Sequence, residues 1–365
     1  MKMNYDIPVK TFDGKLFTLR AVRLTNENKQ PLILWEGFYQ NGIFFDIKTD
    51  NGSIAEFLYN NDYDVWIIDS RGNGSSTGGN YSTSMDDFAA LDIPSVISFV
   101  SDKTEMKPIY IGHSQGGNTA LMSMMGACKH EDGKVYLSDE ETSKRQSALK
   151  ALITLGSYLD FTFSSPSSLQ EFVKNGVIIK LFGKKFNVIS TTSILNLLKI
   201  FKRLPVPVPL SLRQAMITNS MLRILLFPLT IILNIVSTSS IWSFLYHIPN
   251  VSKDARRQIF WCTMQATYWG ILAQYQRAVL NEKMISLDGN INYSENYHKI
   301  KLPIAVVVME YDTLADHIET KNVMFPQIGS EQKIFFEWTQ QGHEDFVMNP
   351  QYFHQLLDVI KKIDS

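Results

Sequence analysis

A glycine-flanked serine between an apolar segment and a small-residue segment is the feature that most constrains this chain. Residues 109–111 read Ile-Tyr-Ile, which is typical of a buried strand, and residues 112–117 follow as Gly-His-Ser-Gln-Gly-Gly. A G-x-S-x-G pattern at a strand-to-helix junction predicts a sharp turn that lifts the serine hydroxyl clear of the sheet. Ser114 is therefore a candidate nucleophile at the start of a helix, where backbone N–H groups favour a developing negative charge.

Whether Ser114 is a nucleophile depends on a base and an acid elsewhere in the chain, because the same pattern also occurs in ordinary glycine-rich turns. In a strand–turn–helix site of this kind, an acid and then a histidine follow the serine along the chain. His343 follows a strand-like segment at 333–338 and precedes an amphipathic closing segment. It is the candidate base, and the alternative is a solvated loop histidine.

The acid is expected just after the apolar segment 303–309, because open parallel sheets carry their chemistry at the carboxyl ends of the strands. Glu310, Asp312 and Asp316 all follow that segment. Asp312 is favoured, since a residue directly after the strand can reach the second nitrogen of the histidine. Asp316 is the alternative acid, and its other role would be to cap a helix that begins near residue 318.

Several separated segments resemble one known family. They are residues 11–15 with 19–23, 62–66 with 69–73, 86–94, 112–116 and 311–316. These segments are similar to parts of the gastric and lysosomal acid lipases, within the α/β-hydrolase superfamily. In the same order, those parts are the opening hairpin, the "GYDVWLGNSRGN" strand and loop, the "DLPA" helix, the "GHSQG" elbow and the "KDLLAD" motif. The resemblance covers residues 1–125 and 301–365 and little between them. It implies that Asp312, at the first aspartate of the last motif, is the acid of the triad.

The resemblance also implies an oxyanion hole, formed by the backbone N–H groups of Phe38 and Gln115. The chain departs from the family here, because Glu36-Gly37-Phe38 stands where the lipases have His-Gly-Leu. Glu36 brings a carboxyl group close to a site that develops negative charge. We expect Glu36 to point away or to pair with a cation such as Arg71, and a carboxylate that did neither would disfavour catalysis.

Composition predicts a compact chain and excludes some partners. The 365 residues are 45% hydrophobic and 19% charged, which is enough to bury a large core. A net charge of −1 without a basic stripe gives no basis for nucleic-acid binding. The two cysteines, Cys128 and Cys262, form neither a disulfide framework nor a metal-binding pattern, so we expect no cofactor and no metal.

The first twenty residues contain recurring charges and no apolar core of the length that a secretory signal has. The lipases that the chain resembles are secreted or lysosomal. The sequence therefore favours a cytoplasmic protein, or a bacterial one that is exported by another route.

Strand-like and helix-like segments alternate along the chain, which predicts an α/β fold, namely the α/β-hydrolase fold, with a mostly parallel central sheet and helices on both faces. We expect an antiparallel hairpin at 6–24, strands near 32–35, 64–69, 108–112, 149–155, 303–309 and 333–338, and helices near 51–60, 86–101, 115–128, 318–324 and 350–363. The alternation stops at 157–295. We therefore predict a helical cap inserted between two parts of one core, residues 1–156 and 296–365.

The most apolar part of the predicted cap is 224–246, which has no charged residue. A membrane span needs about 20 apolar residues, but Pro228, Asn234 and the polar residues 237–240 oppose one. A span would also separate the two halves of the sheet across a bilayer. A buried pair of cap helices is the favoured interpretation, and an apolar surface that contacts lipid or an acyl chain is the alternative.

Taken together, the motifs predict a serine hydrolase of carboxylic esters with apolar acyl groups, a lipase or esterase whose partner is a small ester or a lipid. Ser114 would attack the carbonyl, His343 would move the proton and Asp312 would orient the imidazole. Acyl transfer and thioester hydrolysis use the same chemistry and stay open. A non-catalytic lipid-binding protein, with an oxyanion hole spoiled by Glu36, is the alternative from another class.

Overall fold

A computed structural model describes residues 2–162 and 245–364, the backbone of 177–181 and 184–189, and the single residues Ile235, Thr238 and Ser243. Twelve strands occur in these parts of the chain. In chain order they are β1 (Lys2–Lys10), β2 (Leu16–Leu24), β3 (Pro31–Trp35), β4 (Asp64–Asp69), β5 (Ile109–His113), β6 (Ala127–Lys129), β7 (Val135–Leu137), β8 (Ala151–Leu155), β9 (Val177–Leu181), β10 (Lys184–Ile189), β11 (Ile304–Met309) and β12 (Lys333–Trp338).

Eight of these strands form one sheet in the order β1-β2-β4-β3-β5-β8-β11-β12. The pairs β1–β2 and β2–β4 are antiparallel, and every later pair is parallel. The strands β6–β7 and β9–β10 form two separate antiparallel hairpins. The mostly parallel sheet with an antiparallel hairpin at one edge is the architecture that the sequence predicts.

The central strands are buried along their whole length. Every residue of β3, β5, β8 and β11 is buried, as are all residues of β4 except the last. Continuous apolar strands without alternation are typical of parallel sheets covered on both faces. Burial in β1 instead alternates, as expected of an edge strand.

Of the nine helices in the described residues, seven lie between these strands in the sequence and the last two follow β12. They are α1 (Ile54–Asn60), α2 (Met85–Asp87, continued through Phe88–Asp92 and Ile93–Thr104), α3 (Gln115–Met124), α4 (Asp139–Ala148), α5 (Lys253–Gln258, continued through Ile259–Thr263), α6 (Trp269–Asn281), α7 (His317–Glu319, continued through Thr320–Met324 and Phe325–Gln327), α8 (Asp345–Met348) and α9 (Phe353–Asp364). Short 3-10 turns occur at Gly42–Asp46, Ile248–Asn250, Tyr293–Glu295, Tyr297–Lys299 and Pro350–Tyr352.

Each face of the sheet carries its own hydrophobic core. On one face, residues of β5 and β3 such as Tyr110 and Ile33 pack with α2 and α3. On the other face, Leu34 packs with Leu356 of α9 and with residues of α1. Neighbouring residues of one strand therefore enter opposite cores, which is why both must be apolar.

Three details differ from the predicted elements. The helix predicted at 115–128 ends at Met124, because Gly126 adopts a φ of 86° that helical residues do not have and β6 begins at Ala127. The polar helix α4, capped by the Ser138 side chain, is absent from the sequence prediction because it has no clear apolar stripe. The segment predicted to be helical at 157–295 also contains the hairpin β9–β10.

The chain leaves the main sheet after β8 and returns to it at β11, which is hydrogen-bonded to β8. The division into 1–156, 157–295 and 296–365 stays a prediction. The apolar segment 224–246 lies almost entirely outside the described residues. Among the residues that the structure describes, no helix has the length and apolar character needed to cross a membrane.

A buried carboxyl group ties the segment before β11 to the core. Asp86, in the first turn of α2, accepts hydrogen bonds from Gln274 Nε2 at 2.9 Å, from the Tyr293 hydroxyl at 2.8 Å and from the Leu287 amide at 2.7 Å. Burial raises the pKa of Asp86 to about 6. Through these three hydrogen bonds, the Asp86 side chain fixes the segment 269–297 against α2.

Replacing Asp86 with alanine leaves these donors buried without an acceptor, so the free energy of unfolding is expected to fall by about 3 kcal/mol. Asp254→Ala is the matched control, since Asp254 is exposed and pairs with Arg257 on the surface. It should cost less than about 1 kcal/mol. Urea unfolding measures both values, and equal losses would contradict the anchoring role of Asp86.

Candidate active site

Ser114 occupies a strained turn between β5 and α3. Its φ of 51° and ψ of −116° lie in a region that residues other than glycine rarely adopt. The Ser114 amide donates to the Leu155 carbonyl at 2.8 Å, and the Ser114 carbonyl accepts from the Asn118 amide at 2.9 Å. The turn is therefore fixed from β8 on one side and from α3 on the other.

The two glycines of the pattern have no room for a side chain. A Cβ on Gly112 would lie 2.6 Å from the Gly116 carbonyl carbon, and a Cβ on Gly116 would lie 2.6 Å from the Trp35 carbonyl oxygen. Both positions require glycine, because backbone atoms at that distance cannot move aside cheaply. The first turn of α3 accordingly packs directly against the end of β3.

Asp312 and His343 form a buried hydrogen-bonded pair. His343 Nδ1 lies 2.6 Å from Asp312 Oδ2, and both residues are buried. Asp312 Oδ1 accepts from the amides of Leu314 and Ala315 at 2.7 and 3.0 Å. These backbone bonds hold the carboxylate in place while its other oxygen binds the imidazole.

Asp316, the alternative acid, has another role. Its Oδ1 accepts from the amides of Ile318 and Glu319, each at 3.0 Å, and so caps the N-terminus of α7. The structure therefore brings Asp312, and not Asp316, to His343.

The Asp312–His343 bond sets the protonation of the imidazole. Burial lowers the pKa of His343, but the Asp312 carboxylate outweighs it and holds the pKa above its ordinary value. Because Nδ1 bonds to the carboxylate, Nε2 is the nitrogen left to exchange a proton with a nucleophile.

Gly156 connects this pair with the turn at Ser114. A Cβ on Gly156, whose φ is 57°, would lie 3.0 Å from both Asp312 Oδ2 and His343 Nδ1. The next residue, Ser157, donates its hydroxyl to the Ser114 carbonyl at 3.0 Å. Among the described residues, the Ser114 hydroxyl makes no hydrogen bond to His343. Such bonds often tighten only when substrate binds.

His113 supports the loop that carries His343. Its Nε2 donates to the His343 carbonyl oxygen at 3.0 Å, and its ring stacks on Phe44 at a centroid distance of 4.8 Å. Burial holds the pKa of His113 well below its ordinary value, so the ring is neutral. Since Nε2 carries the proton, Nδ1 is an acceptor.

The loop after β3 lies against Ser114. A Cβ on Gly37 would lie 3.1 Å from Ser114 Cβ, so a side chain here would require its neighbours to shift by a few tenths of an ångström. The amides of Phe38 and Gln115, the predicted oxyanion donors, have no hydrogen-bond partner in the described parts of the chain. Both donors are therefore available to a ligand next to Ser114.

Glu36 does not pair with Arg71, so that alternative of the expectation is wrong. Arg71 instead makes a buried ion pair with Asp92 through two of its nitrogens. Glu36 Oε1 accepts from the Ser70 amide at 2.7 Å, at the end of β4. Burial, together with the nearby Asp69, raises the pKa of Glu36 to about 8. The group is mostly neutral at pH 7, which removes the predicted conflict with an oxyanion.

The comparisons with known proteins agree with this architecture. A family model described as the alpha/beta hydrolase fold matches residues 30–132. A thermophilic esterase from Thermogutta terrifontis superimposes with a TM-score of 0.58 at 14% identity and covers 100% of both chains. A soluble variant of the monoglyceride lipase from Saccharomyces cerevisiae has a TM-score of 0.55 at 13% identity and covers 98% of this chain and 93% of its own. This chain has the α/β-hydrolase fold.

Proteins similar to this chain in sequence include lipases. The gastric triacylglycerol lipase of Rattus norvegicus is 34% identical over 171 residues, which is 44% of this chain and 40% of the lipase. The lysosomal acid lipase/cholesteryl ester hydrolase of Homo sapiens is 26% identical over 196 residues, 48% of this chain and 45% of its own. The chain thus spans less than half the length of these relatives. Its resemblance to the acid lipases is confirmed.

Three residues at the candidate site are absent from the sequence prediction. Gly156 makes room for the acid and the base, and a glycine at the carboxyl end of a predicted strand is a signal that could have found it. Gln40 and Glu344 form a buried hydrogen bond beside the site, for which the sequence has no local signal. Among the described residues, no group of three or more His, Cys, Asp or Glu side chains has the arrangement of a metal site.

The raised pKa of His343 and the lowered pKa of His113 can be measured directly. In a pH titration of ¹⁵N-histidine-labelled protein by NMR, we expect His343 to titrate above 6.5 and His113 to stay neutral near that pH. Asp312→Asn should lower the pKa of His343, because the neutral amide no longer stabilises the imidazolium. The variants His343→Gln and His113→Gln assign the two signals. A His343 pKa that is unchanged by Asp312→Asn would contradict the pairing.

Proposed function

We propose that this protein is a serine hydrolase of carboxylic esters, with Ser114 as nucleophile, His343 as general base and Asp312 as the acid that orients the base. The observation that carries the proposal is the buried 2.6 Å hydrogen bond between Asp312 and His343 at the sheet edge where Ser114 stands in its strained turn. The lipase and esterase names of the related proteins support the same chemistry.

In the proposed reaction, the Ser114 hydroxyl attacks the ester carbonyl carbon and its proton moves to His343 Nε2. The carbonyl oxygen becomes an oxyanion that accepts hydrogen bonds from the amides of Phe38 and Gln115. His343 then gives the proton to the leaving alcohol as the carbon–oxygen bond breaks. Water, activated by His343, hydrolyses the acyl-enzyme and releases the acid. Asp312 stabilises the imidazolium in both halves of the reaction.

An apolar acyl group is the proposed substrate feature, and the aromatic residues beside the oxyanion loop support it. The ring of Phe38 packs edge-on against Tyr275 at 5.1 Å, and Phe161 packs against the same tyrosine at 5.9 Å. Such rings bind hydrocarbon by burying its surface. A small ester or a lipid is therefore the proposed partner, with contact to a lipid surface assigned to the predicted cap.

Hydrolysis of p-nitrophenyl esters from acetate to palmitate tests the proposal. The wild-type protein should hydrolyse them, and Ser114→Ala should lower kcat at least about 10³-fold, because the covalent step is lost. A maximum at long chains supports the apolar acyl preference. Acyl-thioesters and added alcohols, assayed beside the esters, separate ester hydrolysis from thioester hydrolysis and acyl transfer.

A folded wild-type protein that hydrolyses none of these esters but binds fatty acid would overturn the proposal in favour of a lipid-binding protein. Circular dichroism and the Tm of both proteins serve as controls for folding.

Asp312→Asn and Asp316→Asn form a matched pair. The first is expected to lower kcat by about 10³- to 10⁴-fold, because an amide no longer holds the imidazole in the required tautomer. The second should keep kcat near that of the wild type, since asparagine caps a helix as well as aspartate does. Steady-state kinetics on the best p-nitrophenyl ester decides, and comparable losses in both variants would refute Asp312 as the specific acid.

A further inference from the structure

A buried hydrogen bond joins the oxyanion loop to the loop that carries His343. Gln40 and Glu344 are more than three hundred residues apart in the chain, yet Gln40 Nε2 and Glu344 Oε1 lie 2.6 Å apart. The two residues are only 3% and 2% exposed. Glu344 directly follows His343, and Gln40 lies two residues after Phe38. The bond therefore spans the two loops whose relative position matters most for the reaction.

Three buried polar atoms around this bond are left over. In the described part of the chain, Gln40 Oε1, Glu344 Oε2 and His113 Nδ1 have no hydrogen-bond partner. Two of them border the same small space, because a Cβ on Gly37 would lie 3.3 Å from Gln40 Oε1 and 3.0 Å from His113 Nδ1. Each unpaired buried polar atom costs about 1–3 kcal/mol. Three such atoms close together indicate that the protons, and the orientation of the Gln40 amide, are arranged differently.

The surroundings of Glu344 favour its neutral form. Burial is the largest cause and raises the pKa of Glu344, and the Asp345 and Asp312 carboxylates raise it further. The neighbouring His343 and the hydrogen bond to Gln40 lower it, and the resulting pKa is about 8. The Tyr246 hydroxyl also faces Glu344, and Arg256 lies beyond it as a hydrogen-bond partner of that tyrosine. At pH 7 the side chain is therefore mostly a carboxylic acid, which can donate a proton as well as accept one.

A neutral Glu344 together with a turned Gln40 amide accounts for two of these three atoms, Gln40 Oε1 and His113 Nδ1. A half-turn of the Gln40 amide places its oxygen toward Glu344, where it accepts the acid proton. The same half-turn places the Gln40 nitrogen in the space bordered by His113 Nδ1, which is an acceptor.

We propose that Glu344 is a positioning residue whose acid proton holds Gln40 and so fixes the oxyanion loop against the loop that carries His343. The inference rests on the proposed hydrolase function. The backbone on either side of Gln40 is also held, since Asn73 Nδ2 donates to the Gln40 carbonyl at 2.9 Å and the Gln265 amide donates to the Tyr39 carbonyl at 2.7 Å. Glu344 connects this fixed loop to the loop that carries His343. A shift of about 1 Å between the two loops is enough to lower the reaction rate.

Kinetics of Glu344→Ala and Glu344→Gln on the best p-nitrophenyl ester test the proposal. The alanine variant should lower kcat about 10- to 100-fold while KM changes less than about threefold, because positioning in the transition state is lost and binding is not. The glutamine variant should recover most of that loss, since its amide N–H can donate to Gln40 as the acid does. Asp86→Ala is the matched control, because Asp86 is another buried carboxyl group and makes no hydrogen bond to Gln40 or to the residues of the proposed triad.

Retention of kcat within about twofold in Glu344→Ala would overturn the proposal, as would a glutamine variant that is as slow as the alanine variant. A loss of kcat in Asp86→Ala equal to that in Glu344→Ala would show a general effect of lowered stability and would overturn it too. Assays are run well below the Tm of every variant.

An infrared difference spectrum of wild type minus Glu344→Gln tests the neutral acid without any substrate. A carbonyl band of a protonated carboxylic acid should be present at pH 7 and should disappear in alkaline solution. Its absence at pH 7 would overturn the inference. A protein that shows this band but no Ser114-dependent hydrolysis would instead refute the proposed function and leave the protonated Glu344 in place.

Discussion

The site depends on how closely the first turn of α3 approaches the ends of β3 and β5. Glycine at 112 and 116 permits this approach, because backbone atoms of neighbouring elements occupy the space that a Cβ would need. The approach brings the Gln115 amide, at the helix N-terminus, beside the loop that contains Phe38. The same tight packing forces Ser114 into its strained backbone conformation. A single steric constraint thus governs both the turn at Ser114 and the position of the Gln115 amide beside the loop that contains Phe38.

The features that sequence predicts well are those governed by local physics. Continuous apolar segments gave the parallel strands, and Asp312 could be favoured over Asp316 because only the former directly follows β11. Two elements are not predicted. The polar helix α4 has no apolar stripe to reveal it, and the hairpin β9–β10 lies in a segment that the sequence predicts to be helical. The partners of Glu36 and Glu344 could not be predicted, because Ser70 and Gln40 reach them only through the folded sheet.

Buried acids give this site an unusual electrostatic character. Glu36 follows β3 and Glu344 follows His343, and burial raises the pKa of each to about 8. As neutral groups they add hydrogen bonds without adding negative charge near the proposed oxyanion site. Asp312, by contrast, accepts from two backbone amides as well as from His343. Carboxyl groups of the same kind thus serve different purposes, according to the donors that surround them.

Gly156 has a consequence for how this fold can change over time. It makes room for Asp312 and His343, and it is also the first residue after β8, where the chain departs from the sheet before returning at β11. The two strands that the excursion connects are adjacent and parallel, about 5 Å apart, so it runs from the carboxyl end of β8 to the amino end of β11. Lengthening such an excursion costs little, about 0.6 kcal/mol for each doubling. Evolution can therefore exchange the excursion for a longer, shorter or unrelated one, and acquire new specificities, while the reaction centre is inherited intact.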